Sequence, residues 1–121
     1  MKTIKILTAF VITLIISISA VAQTTMKDNA KGPKTETFKV NGECGMCKTR
    51  IEKGLKMDGI AKAEWDQKSK MTTVTYDPSK ITVDEMKKKV ASLGHDTDKY
   101  KSSDDVYSKL PDCCHYDRSK L

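Results

Sequence analysis

The chain reads as an α+β protein of one domain, and three observations predict it. Short alternating apolar runs stand at 35–40, 60–66 and 71–76, and two helical patterns follow Cys47 and Thr82. With a polar last strand expected at 95–100, the order is strand, helix, strand, strand, helix, strand. The length, 121 residues, allows one domain of this kind and not two.

The amino-terminal segment differs from the rest. Lys2 and Lys5 give a positive start, and 6–18 is apolar except for Thr8, Thr13 and Ser17. Ala20-Val21-Ala22 then places small residues where a signal peptidase cuts, with Gln23 as the new first residue. This pattern predicts a secretory signal peptide over 1–22. The alternative is an uncleaved anchor, but the apolar run is short against the ~20 residues a membrane span needs. No cysteine stands at the cut, which speaks against a lipid anchor. Export would place the mature protein in the periplasm or outside the cell. There it would touch the membrane only through the leader, before cleavage.

Residues 23–34 are mostly polar, with Met26 the one large apolar side chain, and predict a flexible lead-in. In 35–40, Phe38 and Val40 share one face of a strand. Asn41 to Gly45 is a loop by its turn residues. Cys47, Ile51 and Leu55 recur every four residues and predict a helix that Asp58-Gly59 ends. Two strands joined by a polar turn at 67–70 follow as a hairpin. Thr72, Val74 and Tyr76 share its inner face; Ile60, Ala63 and Trp65 face inward with imperfect spacing.

The second helix opens on Thr82-Val83-Asp84-Glu85, a capping box, with Ile81 and Met86 placed as a hydrophobic staple. Val83, Met86, Val90 and Leu93 form its apolar stripe, and Gly94 stops it. A polar last strand is expected over 95–100, then a helical turn or two over 104–110 ended by Pro111. The order suits a ferredoxin-like βαββαβ sandwich: a four-stranded antiparallel sheet with two helices on one face.

Composition narrows function. The net charge is +6 for the whole chain and +4 once Lys2 and Lys5 are removed with the leader. The lysines are scattered and not interleaved with aromatic residues, so no nucleic-acid footprint is present. All four cysteines, Cys44, Cys47, Cys113 and Cys114, fall in the mature part. A pair spaced by two residues and a vicinal pair close no long loop, so they make a poor disulfide framework.

Chemistry is the better reading for Cys44 and Cys47. Two thiolates converge on one ion when one stands in a loop and the next opens a helix. A helix amino-terminus and the neighbouring Lys48 and Arg50 favour the thiolate, and Gly45 is expected to take positive φ beneath the ion. Soft thiolates select Cu(I), Ag(I) and Hg(II). Two ligands satisfy those ions but not structural Zn(II), which takes four. On spacing alone a redox pair or half of a zinc site remains open.

Cys44-Gly45-Met46-Cys47 does not stand alone. Val40-Asn41-Gly42, Ile51-Glu52-Lys53, Asp58-Gly59-Ile60, Val74-Thr75-Tyr76-Asp77-Pro78 and Gly94-His95-Asp96 accompany it in order. With these the chain resembles the heavy-metal-associated domain family of copper chaperones, P-type copper ATPase domains and periplasmic mercury-binding proteins. The resemblance spans 35–100. It implies the ferredoxin-like fold, Cys44 and Cys47 as metal ligands, and a partner such as a metal-transporting ATPase or efflux component. The family's Gly-Met-x-Cys-x-x-Cys is one residue shorter here, because Gly42-Glu43 precedes Cys44. Met46 either faces the ion or tucks inward, and Tyr76 takes no ligand role.

The extension 101–121 lies outside the resemblance. Cys113, Cys114 and His115 are candidate additional ligands, a separate soft-metal site, or bystanders in a tail that packs through Val106, Tyr107 and Leu110. One of the two cysteines could also bond another cysteine. His95 reads as structural. The expectation is an exported soft-metal carrier or buffer, Cu(I) first, and not an enzyme. The alternatives are a thiol–disulfide oxidoreductase with Cys44 as nucleophile, and a structural zinc site built from both cysteine pairs.

Overall fold

The computed structural model describes residues 32–119. The leader and most of the lead-in therefore lie outside the described residues. Strand β1 (Lys34–Lys39), helix α1 (Gly45–Gly54), strands β2 (Ile60–Trp65) and β3 (Met71–Tyr76), and helix α2 (Val83–Ser92) follow in that order. A short helix α3 (Asp104–Ser108) and a 3₁₀ turn (Asp112–Cys114) complete the chain.

The sheet has three antiparallel strands in the order β1-β3-β2. The expected fourth strand is reduced to a single bridge, Val40 to Thr97. The segment does lie beside β1: Asn41 N–H donates to the Asp96 carbonyl at 2.8 Å, and Asp98 N–H to the Lys39 carbonyl at 3.3 Å. It stops there because Thr97 turns the chain. Thr97 N–H donates to the Tyr100 carbonyl at 2.8 Å, and the Thr97 hydroxyl accepts from the backbone of Lys99 and Tyr100. Such local side-chain bonds compete with a strand ladder.

The hairpin shows why the inward spacing of β2 is uneven. Its register slips between Ile60 and Lys62, so one extra residue separates Ile60 from the regular alternation of Ala63 and Trp65. The turn after β2 is held by the Asp66 carboxylate, which accepts from the Lys68 and Ser69 N–H groups at 2.8 and 2.7 Å.

Helix α1 ends at Gly54, earlier than Asp58-Gly59. It ends where Leu93 of α2's carboxy-terminus presses on it: a Cβ at Gly54 would lie 2.1 Å from Leu93 Cδ1. Helix α2 carries the expected capping box, with Glu85 N–H donating to Thr82 Oγ1 and Thr82 N–H to Glu85 Oε2. One cluster gathers Ile51 and Leu55 of α1, Met86 and Val90 of α2, and Phe38, Trp65, Val74 and Tyr76 of the sheet.

The extension belongs to the same core. Leu110, Cys114 and Tyr116 are buried within it. Gly94, at φ +106°, ends α2 and leaves room for Leu110; a Cβ there would meet Leu110 Cδ2 at 2.7 Å. Gly94→Ala should therefore cost both left-handed strain and overpacking, about 1–3 kcal/mol. Urea denaturation measures it, and a loss below a few tenths would contradict this seating of the tail.

Candidate metal centre

Both Cys44 and Cys47 stand in the first turn of α1. Cys44 is the N-cap residue, in extended backbone, and Gly45 is the first helical residue. Gly45 is not among the glycines with positive φ, which are Gly59 and Gly94. The close approach that only glycine allows falls instead at Gly42. A Cβ there would meet the Trp65 ring at 2.8 Å and Cys47 Cβ at 3.1 Å.

Trp65 supports this loop from below. It is fully buried, and its indole N–H donates to the Val40 carbonyl at 2.9 Å. Glu52 ties α1 to the same strand, accepting from Trp65 N–H at 3.0 Å and from Lys48 Nζ at 2.6 Å. Lys70 Nζ donates to the Gly42 carbonyl at 2.6 Å, and Gln67 to the Glu43 carbonyl at 2.8 Å. The loop is thus held by the hairpin on one side and by α1 on the other.

Three sulfurs meet above it. The Sγ atoms of Cys44, Cys47 and Cys114 lie within 4.8 Å of one another. Cys44 is 3.6 Å from Cys47 and 3.6 Å from Cys114, and Cys47 is 2.7 Å from Cys114. Cys47 and Cys114 are fully buried, whereas Cys44 is half-buried. Cys47 Sγ also accepts from Glu43 N–H at 3.4 Å.

The neighbouring candidates lie outside this trio, although the Cys113 thiol still reaches that of Cys44. Cys113 is exposed, and its thiol donates to the Met46 thioether at 3.6 Å. Met46 faces outward and is 56% exposed. His115 packs its ring on Tyr107, centroids 5.2 Å apart, and does not join the sulfur group. A four-ligand zinc site from both pairs therefore has only three of its ligands assembled among the described residues.

His95 is buried in the core. Burial holds its pKa down, so the ring is neutral and Nδ1–H donates to the Asn41 carbonyl at 2.9 Å. The Tyr76 hydroxyl donates to Glu36 at 2.9 Å, away from the sulfurs.

The cluster is electrostatically uneven. Burial pushes the Cys44 thiol up. Hydrogen bonds from Cys113, from Cys47 N–H, and from the Cys114 and Cys47 thiols outweigh it, and the thiol titrates at about 6. Burial pushes Cys114 well above the ordinary thiol range, and Cys47 and Cys44 beside it push the same way. Cys113 is raised by the bond it donates to Cys44 and by burial. The neighbouring thiols and the helix amino-terminus thus favour the Cys44 thiolate.

This donor set fits a soft ion. Three sulfurs at ~2.3 Å from one ion in a plane would lie about 4 Å apart. Two sides of the triangle approach that, and the third needs to open by about an ångström. No carboxylate joins the group, as a hard cation would require.

The chain is similar to several known metal-handling proteins. Residues 37–96 match the family model of the heavy-metal-associated domain. The mercuric transport protein periplasmic component of Shewanella putrefaciens is 35% identical over 97 residues, 78% of this chain and 93% of that protein. The copper chaperone CopZ of Staphylococcus aureus is 36% identical over 63 residues, 50% of this chain and 93% of that one. Among solved structures, the amino-terminal domain of a potential copper-translocating P-type ATPase from Bacillus subtilis is similar. It is 30% identical with a TM-score of 0.52, over 61% of this chain and 95% of that domain. This chain belongs to the heavy-metal-associated domain family. It is a metal-binding protein of the chaperone-like kind rather than an enzyme, and the oxidoreductase reading falls with that assignment.

The third sulfur was visible in the sequence only as part of a vicinal pair. Nothing local separates Cys114 from Cys113; Cys114 is the one buried in the fold, with Leu110 and Tyr116 buried on either side of it. An alkylation experiment tests the charge assignment. Cys44 should react with iodoacetamide faster than Cys113 at pH 7, and its rate should fall as pH drops through about 6. Peptide mass spectrometry of the reduced protein reads it; a Cys44 midpoint near 9 would contradict the assignment.

Proposed function

We propose that this protein is an exported carrier or buffer for a soft metal ion, Cu(I) first, held by Cys44 and Cys47. The convergence of these two sulfurs, 3.6 Å apart at the amino-terminus of α1 with a third sulfur against both, carries the reading. Thiolate donors without oxygen ligands favour Cu(I), Ag(I) and Hg(II) over hard cations. Similarity to copper chaperones supports Cu(I).

One observation favours a second cargo. The mercuric transport relative aligns over 97 residues, well beyond the matched domain. Hg(II) is therefore the competing ion, with the same ligands and the same coordination logic.

The amino-terminal pattern of Lys2, Lys5 and Ala20-Val21-Ala22 supports export, as does similarity to a protein named as periplasmic. No helix among the described residues is long and apolar enough to cross a membrane. The recipient would be a metal-transporting ATPase or efflux component with thiolates of its own, given the likeness to such an ATPase domain.

Titration of the reduced mature protein with Cu(I) and Hg(II) against competing chelators tests the reading. Cys44→Ser and Cys47→Ser should each weaken binding by more than the roughly 10–100-fold that loss of a ligand's hydrogen-bonding partner costs. Wild-type affinity no better than micromolar for either ion would refute it. The two titrations also rank the cargoes directly.

A further inference from the structure

The C-terminal extension does more than decorate the domain. We infer that Cys114 is a third thiolate ligand of the metal site. We infer too that Asp96, Tyr116 and Arg118 hold it there, making this a three-sulfur retaining site rather than an exposed two-sulfur one. This rests on the soft-metal reading of Cys44 and Cys47 and adds to it how the ion is kept and released.

Cys114 is the buried member of the vicinal pair, with Sγ 3.6 Å from Cys44 and 2.7 Å from Cys47. Its backbone is set by a 3₁₀ turn, closed by Cys114 N–H donating to the Pro111 carbonyl at 2.7 Å. The turn is pinned on both sides. Before it, Leu110 is buried against Gly94. After it, Tyr116 is buried with its hydroxyl accepting from Asp96 N–H and donating to the Gly94 carbonyl, both at 2.8 Å. Tyr107 hydroxyl closes the extension on itself through the Tyr116 carbonyl at 2.6 Å.

Arg118 completes the clasp. Its Nε and Nη2 donate to the two oxygens of Asp96, each at 2.8 Å, and Nη2 also reaches the Ser102 carbonyl at 2.6 Å. Asp96 is fully buried and accepts from Ser102 N–H at 2.7 Å. Such a carboxylate is tolerated inside only while its partners remain. The extension is therefore bound through a geometry-demanding, two-pronged contact to the residue that also sits beside β1.

The consequence is steric as well as chemical. With the extension seated, Cys47 and Cys114 have no exposure, and only Cys44 is reached from outside. An intramolecular sulfur competes at high effective concentration with any thiolate from a recipient. Handover then replaces the Cys114–metal bond by a recipient's thiolate–metal bond. Cys114 takes a proton from water as it leaves, and the ion keeps its oxidation state.

X-ray absorption of the reduced mature protein carrying one equivalent of Cu(I), and separately of Hg(II), counts the sulfurs. Three are expected in the wild type and in Cys113→Ser, and two in Cys114→Ser. Transfer of the ion to excess dithiol chelator should be about tenfold faster in Tyr116→Phe and Arg118→Gln, each lacking hydrogen bonds of the clasp, and unchanged in Cys113→Ser. If Cys114→Ser does not fold, those two variants still decide, because they leave every sulfur in place. Two sulfurs in a tightly loaded wild type, or transfer rates indifferent to Tyr116 and Arg118, would overturn the inference and leave the soft-metal reading standing. Loss of a sulfur in Cys113→Ser instead would overturn the choice of Cys114. Failure of every form to hold either ion would remove the soft-metal reading itself.

Discussion

A fully buried carboxylate, Asp96, is the point on which the architecture turns. Its backbone carbonyl takes the N–H of Asn41, just after β1, and its side chain takes Ser102 N–H and both prongs of Arg118. An ionised carboxylate inside a protein costs far more than a neutral residue unless its lone pairs are filled. Here they are filled almost wholly by the C-terminal extension. The domain and its tail therefore fold as one object, and the vicinal cysteines arrive at the Cys44–Cys47 loop as a result.

The loop itself is rigid for a different reason. Gly42 lies so close to Trp65 and Cys47 that a Cβ has no space, and Trp65 is in turn anchored to Val40. Close packing of this sort leaves no alternative seat for the backbone under the cysteines. The family's methionine beneath the loop is missing. Met46 does not replace it, since it faces outward toward Cys113. The indole of Trp65 is what lies against the loop here, at Gly42.

The pattern of periodic residues was sufficient for most elements. The β1 pair Phe38 and Val40, the α1 spacing of Cys47, Ile51 and Leu55, and the Thr82 capping box all report local preferences that the core then uses. The uneven inward residues of β2 were a real signal of the slip between Ile60 and Lys62. The fourth strand was not readable, because 95–100 has strand-like polarity but Thr97 spends its hydroxyl and N–H on its own turn. Gly45 misled for a related reason. A glycine between two loop-like neighbours suggests positive φ, yet the residue already lies in the helix that Cys44 caps.

The sequence by itself determined the family, the identity of Cys44 and Cys47 as the candidate ligands, and the class of ion they suit. Those follow from donor chemistry, local spacing and landmarks in order, none of which needs a distant contact. Only the tertiary structure decided between Cys113 and Cys114, and between a tail that hangs free and one that closes on the site. Adjacent residues in a turn point in different directions. Which of them faces the Cys44–Cys47 loop depends on Leu110, Tyr116 and Arg118 binding to residues 94–96, a contact across up to 22 positions that no local pattern encodes. The cysteine pair the sequence singles out is thereby joined by a third sulfur that only the fold brings to it.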